Sequence, residues 1–330
     1  MSNLTKEFRG GLLENIHPGR ICIVGEDKTI THHVGEINTL TYYRSSSKPL
    51  QVLPVIENHI DEKYNLNENE VAIMAGSHAG EAIHLETILS ILDKTGYSEN
   101  DLIMQPTYPA VAALHDEMIR KNLPPRKALH NCSGKHIGAM LLSEYLTGDH
   151  KNYWQPDSAA QKRIRETIAY LSEYPIDQIQ IGIDGCGVPV FAVPLKNIAL
   201  SYLKLACPDQ IDHSDTRNAV IRITDLMHKN PVMVRGTGYL CSIMNEDPNI
   251  VSKGGAKGVY AFGLVKERLG VAIKIKDGTE EPWPVVIAEI LRQLNYDNLD
   301  TIHKLEALCP SEILNDNGVV VGKIETCFKL

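Results

Sequence analysis

Two-residue alternation at both ends of the chain, with helical periodicity between them, constrains the fold more than any other feature. From residue 19 to 43, apolar and β-branched residues alternate around Ile21, Ile23, Thr29, Thr31 and Val34, with Gly25-Glu26-Asp27 as a turn. This is the pattern of antiparallel strands. Strand-like runs return at 179–183, 259–264, 270–275 and 318–321. Between them, apolar stripes at helical spacing cover 81–94 (ended by Gly96), 108–121, 137–146, 158–171 and 215–228, and a later helix covers 284–294. Strands flanking a run of helices predict an α+β architecture rather than a doubly wound one. The expectation is a single domain over 1–330, with an antiparallel sheet built from both chain ends. A helical region, roughly 78–230, is inserted between the sheet-forming segments.

A chain of 330 residues with 43% hydrophobic and 22% charged residues has the composition of a soluble globular protein. Its net charge of −8, with no Lys/Arg cluster, argues against a nucleic-acid partner. The first residues lack the apolar core of a signal peptide, and no run of about eighteen apolar residues occurs. The expectation is therefore a cytoplasmic protein with no membrane partner. Seven scattered cysteines read as free thiols or metal ligands rather than a disulfide framework.

The chemistry concentrates in a few short segments. In Ser45-Ser46-Ser47-Lys48, only Ser45 is three residues from the lysine, which on a helix places its hydroxyl beside the amine. Pro49 suits a first helical turn, so the helix starts within the serine run at a strand exit, with Leu50, Val52, Leu53 and Ile56 on its apolar side. Lys48 can take the serine proton only if burial or a second cation lowers its pKa. The alternative is a helix cap beside a solvated lysine.

Ala75-Gly76-Ser77-His78-Ala79-Gly80-Glu81 follows the strand-like Val71-Ala72-Ile73-Met74 and precedes a helix, so Ser77 is either a ligand-facing hydroxyl or a capping serine. Lys253, in Ser252-Lys253-Gly254-Gly255 ahead of a strand, is the candidate second cation; the alternative is a polar glycine turn. Cys132 and Lys135 form a metal half-site around a glycine turn, with Cys186 as a distant third ligand. A thiolate pair suits zinc, but a lysine ligand must be neutral, so a hydrogen-bonding role for Lys135 stays open. Asp184 and His136 stand beside these ligands and supply outer hydrogen bonds or an anchor for a substrate amine. Arg235-Gly236-Thr237-Gly238-Tyr239 and Cys241 line a pocket or reach a carboxylate. The combination reads as an amide-hydrolysing enzyme.

Taken in order, Arg44-Ser45-Ser46-Ser47-Lys48, the Ser77 stretch, Asn131-Cys132-Ser133-Gly134-Lys135-His136, Asp184-Gly185-Cys186-Gly187, the Arg235 stretch with Cys241, and Lys253-Gly254-Gly255 resemble the L-asparaginase II family. These are the Rhizobium-type asparaginases, related in fold to serine β-lactamases and penicillin-binding proteins. The resemblance implies two Ser-Lys tandems facing one pocket, Ser45 with Lys48 and Ser77 with Lys253. It implies zinc held by Cys132, Lys135 and Cys186, with Arg44, His136, Asp184 and Cys241 toward the substrate. It also implies L-asparagine as substrate and a homodimer. The family's lysine-threonine-glycine-alanine-glutamate-glycine stretch appears here as Lys253-Gly254-Gly255-Ala256-Lys257-Gly258. Spacing does not decide which serine is acylated; Ser45 is preferred for its local partner. The rival readings are a glutaminase or another Ser-Lys amidohydrolase and, outside enzymes, a zinc-holding metabolite-binding protein.

Overall fold

The computed structural model describes residues 2–330. Eleven strands form: β1 (Ser2–Arg9), β2 (Leu12–Val24), β3 (Ile30–Val34), β4 (Leu40–Tyr42), β5 (Gln180–Ile183), β6 (Pro189–Pro194), β7 (Ile250–Gly254), β8 (Val259–Leu264), β9 (Leu269–Ile275), β10 (Glu312–Leu314) and β11 (Val320–Thr326). The main sheet runs β10-β11-β1-β2-β9-β8-β7, with β3 also paired to β2, and every pairing is antiparallel. The two chain ends meet where β1 pairs with β11, as expected of an α+β fold closed from both termini.

All residues of β7 and β8 are buried, so this part of the sheet is covered on both faces. One cover is the Leu195–Ala206 helix, of whose twelve residues eleven are buried. It lies so close that a Cβ on Gly270 would stand 2.1 Å from the Ala199 carbonyl oxygen. On the opposite face Tyr260 meets Trp283, the first residue of the Trp283–Gln293 helix, with ring centroids 5.2 Å apart. The Leu195–Ala206 helix is absent from the sequence reading, and its burial takes in the polar Asn197, Ser201 and Lys204 along with its apolar residues.

Three further expectations are corrected. The 179–183 run does not join the main sheet: β5 pairs with β6, and β6 with β4, in a separate three-stranded sheet. Residues 71–74 are not a strand; they belong to the Glu68–Ala72 helix and the 3-10 turn Ile73–Ala75. A capping box opens that helix, with Glu70 N–H donating to Asn67 Oδ1 at 3.0 Å and Asn67 N–H donating to Glu70 Oε2 at 2.6 Å. Helices also begin earlier than residue 78 and continue past 230, from Lys48–Gln51 to Leu240–Glu246.

Candidate active site

β4 delivers the chain into a 3-10 turn, Arg44–Ser47, followed by the short Lys48–Gln51 helix with Pro49 in its first turn. Arg44 adopts φ +50°, an uncommon conformation for a side chain of its size and one that recurs at functional sites. Ser46 and Ser47 turn their hydroxyls back onto the chain, donating to Tyr43 O at 2.6 Å and Arg44 O at 2.9 Å. The Ser45 side chain makes no hydrogen bond among the described residues, and neither does its N–H, an orphan donor of the first turn. Tyr202, from the helix beneath the sheet, donates to Ser46 O at 2.7 Å and fixes the turn from below.

Lys48 is wholly buried and reaches inward. Its Nζ lies 2.6 Å from Gly76 O, 3.0 Å from Asn131 O and 2.9 Å from Ser77 Oγ. No Ser45–Lys48 hydrogen bond is formed among the described residues, and Lys48 bonds the other serine. The spacing argument captured the face of the turn but not the length of the lysine, which runs past Ser45 to acceptors on two other segments. A neutral amine has two N–H groups and one lone pair. With its two N–H groups on the two carbonyls, the lone pair is left for the Ser77 O–H. Burial lowers the Lys48 pKa to about 8; the Cys132 thiolate opposes the shift, and the Lys135 and Lys253 cations add to it.

The Ser77 backbone is held rigidly. Its N–H donates to Val234 O at 2.8 Å, and Arg235 Nη1 donates to its carbonyl at 2.8 Å. A Cβ on the preceding Gly76 would lie 2.1 Å from Met233 O, so only glycine lets these segments approach.

Lys253 is the fourth residue of β7 rather than part of a turn. It is buried, its Nζ donates to Gly254 O at 2.7 Å, and no hydrogen bond joins it to Ser77 among the described residues. Burial lowers its pKa, Cys241 opposes the shift, and Arg235 reinforces it. Cys241 Sγ accepts from Gly254 N–H at 3.2 Å and backs the Lys253 strand.

The remaining expected residues converge in a continuous chain. Arg44 Nη2 pairs with Asp184 Oδ1 at 2.8 Å, Lys135 Nζ lies 3.6 Å from Asp184 Oδ2, and Lys135 Nζ donates to Cys186 Sγ at 3.1 Å. A hydrogen bond from Cys186 holds the Cys132 thiol well below its usual pKa; burial opposes this, and the Lys135 and Lys48 cations assist. The same bond, with burial, raises Cys186. Burial works against the Lys135 ammonium, but Cys132, Cys186 and Asp184 outweigh it and raise the amine. Asp184 is lowered: burial opposes, and Lys135 and Arg44 prevail. No group of three His, Cys, Asp or Glu residues able to hold a metal occurs among the described residues. The Cys132, Lys135 and Cys186 donors nevertheless fit a thiophilic ion, provided Lys135 yields its proton.

His136, next along the Ser133–Thr147 helix, is fully buried, with Nδ1 2.7 Å from Tyr153 OH and no partner on Nε2. Burial and then the Lys135 charge hold it well below its ordinary pKa. Sequence reasoning missed the Asn131 and Gly76 carbonyls, which carry no side-chain signature, and Tyr153, which stands beside Trp154 in an irregular segment with no catalytic motif. No helix is long and apolar enough to cross a membrane.

Solved structures similar to this chain include a putative β-lactamase from Bacteroides dorei, with a TM-score of 0.45 at 12% identity over 84% of this chain and 93% of that one. A Bacillus glutaminase has a TM-score of 0.39 at 15% identity, over 85% and 92%. A β-lactamase from Mycobacterium bovis has a TM-score of 0.42 at 12% identity, over 83% and 94%. No curated protein sequence matches. The family model described as L-asparaginase II matches residues 5–326, nearly the whole chain, and with the motifs gathered around Lys48 and Lys135 the chain belongs to that family.

Proposed function

We propose that this protein is an L-asparaginase, hydrolysing the side-chain amide of L-asparagine to L-aspartate and ammonia through an acylated serine. The observation that carries the reading is the Lys48 amine, buried, lowered to about 8, and bonded to two carbonyls and the Ser77 hydroxyl. Such an amine is a general base at neutral to mildly alkaline pH.

Ser45 is the proposed nucleophile. Its hydroxyl is unengaged and its N–H has no acceptor, so that N–H is available to the oxyanion that forms on the attacked carbonyl. The Ser77 N–H, by contrast, is taken up by Val234 O. In this scheme Ser45 attacks, its proton passes to the Ser77–Lys48 pair, and ammonia leaves with a returned proton. Water then cleaves the β-aspartyl ester. Lys253 and Lys135 keep the Lys48 amine prone to neutrality. Arg44 and Asp184 offer opposite charges to the α-carboxylate and α-amino groups of the amino acid. Cys132, Lys135 and Cys186 would hold zinc; when bound, it supplies an electrophilic centre for orienting the substrate. Homodimer formation and a cytoplasmic location belong to the same reading and are tested by analytical ultracentrifugation and cell fractionation.

The decisive experiment is ammonia release from asparagine and glutamine side by side, with and without added zinc, by wild type and by the Ser45→Ala and Ser77→Ala variants. Asparagine should be the better substrate. The margin is set by one methylene, worth about 1–3 kcal/mol in a pocket, so glutamine turnover at equal efficiency would move the protein to the glutaminase reading. Trapping at low temperature should place the acyl mass on the peptide containing Ser45. Full activity in Ser45→Ala would refute the nucleophile, and inactivity of wild type on both amides would favour a metabolite-binding protein.

A further inference from the structure

We propose that Tyr153 is a positioning residue that fixes His136 as its Nε2–H tautomer, so that the buried imidazole meets an oxygen of the bound amino acid as a hydrogen-bond donor. The inference rests on the asparaginase reading for its substrate, but its core, the tautomer, stands on hydrogen-bond geometry alone.

The Tyr153 hydroxyl is buried and has two partners: it accepts from Ile103 N–H at 3.2 Å and lies 2.7 Å from His136 Nδ1. A phenol has one hydrogen, and with the amide as donor that hydrogen goes to Nδ1. The reverse arrangement, Nδ1–H donating to the phenol oxygen, leaves both the phenol hydrogen and the Nε2 lone pair without partners in a buried setting. The arrangement chosen leaves one group unpaired, the Nε2–H.

Tyr153 itself is gripped by its surroundings. Its carbonyl accepts from Gln161 Nε2 at 3.0 Å and Ser158 Oγ at 3.3 Å, the two residues that open the Ala159–Ser172 helix. The main chain at Tyr153 is thus held in place, and Ile103 N–H holds the phenol oxygen beside His136. The unpaired Nε2–H belongs to a ring with no exposed surface, on the residue that follows Lys135 and stands one helical turn from Cys132, whose carbonyl accepts from the His136 N–H at 3.0 Å. Cys132 and Lys135 belong to the active-site cluster. A buried N–H kept without an acceptor among them is a donor awaiting one, and the amide and carboxylate oxygens of an amino acid supply that chemistry. A histidine held this way cannot serve as a base through Nε2.

The test begins with the folded wild-type protein carrying ¹⁵N-histidine, whose long-range ¹H–¹⁵N spectrum distinguishes the tautomers. His136, identified by the signal lost in His136→Ala, should show a protonated Nε2 and an acceptor Nδ1; a protonated Nδ1 overturns the proposal. Kinetics then read the role. Tyr153→Phe removes only the hydroxyl and should raise KM for asparagine about 5-fold, with kcat changed by less than about 2-fold, the loss of one orienting hydrogen bond. In a His136→Ala background the same substitution should leave KM within about 1.5-fold, because Tyr153 acts through the ring. An unchanged 5-fold effect in that background refutes a role through His136. A wild type inactive on asparagine sinks the functional reading without touching the tautomer, whereas a protonated Nδ1 in an active enzyme sinks this inference alone.

Discussion

Lys48 and Lys135 are both buried in one cluster, and the Lys135 charge acts on Lys48, yet their pKa values move in opposite directions. Burial pushes both amines toward neutrality. Around Lys48 the acceptors are neutral, two carbonyls and a hydroxyl, and burial prevails, bringing its pKa down to about 8. Around Lys135 stand Cys132, Cys186 and Asp184, and their negative charge outweighs the same burial. The pair teaches that depth alone does not make a lysine a base. The charge within its first layer of contacts decides whether it becomes a base or a counter-ion.

The sharpest way to break this contrast is Lys48→Arg, since a guanidinium stays charged and cannot accept the serine proton. Ammonia release should fall by at least ~10³-fold, and Lys48→Met, which keeps an apolar stem of similar size, should fall as far. A Lys48→Arg enzyme retaining a tenth of its turnover would end the general-base role.

The Lys135 side should fail differently. Asp184→Asn removes one of the charges holding Lys135 protonated and leaves Arg44 without its carboxylate partner. KM for asparagine should rise ~10–100-fold with a smaller change in kcat, because binding rather than proton transfer is lost. An equal fall in kcat with KM unchanged would place Asp184 in the chemical step instead.

The pH profile sharpens the comparison further. Lys48 works as the neutral amine, so kcat/KM should rise with pH up to about 8 and level off above it. Lys253→Met removes a cation that lowers Lys48, so the rising limb of the residual activity should move to higher pH, by less than about one unit. A shift toward lower pH would show that Lys253 does not act on Lys48 as a like charge.

The smallest effect lies far from the site, where His17 repeats the Lys135 pattern. Burial opposes its charge, but Asp277 Oδ2 at 2.6 Å and Glu7 Oε1 at 2.9 Å prevail and raise its pKa. A raised histidine contributes stability that is complete below its unfolded pKa of about 6.5 and fades as pH climbs through the folded value. His17→Gln should therefore cost about 1 kcal/mol or less at pH 6 and less still at pH 8. Chemical denaturation at the two pH values checks the sign.

Much of the site was legible because its residue types are chemically distinctive. Two cysteines, three lysines, an aspartate and a serine pair have few shared uses, so Ser45, Lys48, Ser77, Cys132, Lys135, Asp184, Cys186 and Lys253 could be singled out before any geometry. Their pairing was not legible. Lys48 meets Ser77 because the Gly76–Ser77 turn, pinned by Met233 and Val234, brings its carbonyl and hydroxyl to the end of a long side chain. Spacing within one turn cannot register a contact made across 29 residues. The same limit explains residues 71–74, where β-branched apolar character suggested a strand. There, the capping box at Asn67 and Glu70 and the surrounding helices imposed a helical turn.

By itself the sequence determined the α+β layout, the family and the inventory of reactive groups, because periodicity and residue chemistry are local properties written along the chain. Only the tertiary structure decided which lysine serves which serine, which amine stays charged, and that Tyr153 stands behind His136. Protonation and hydrogen bonding depend on the net charge and free lone pairs within a few ångströms, and those neighbours come from segments scattered along the chain.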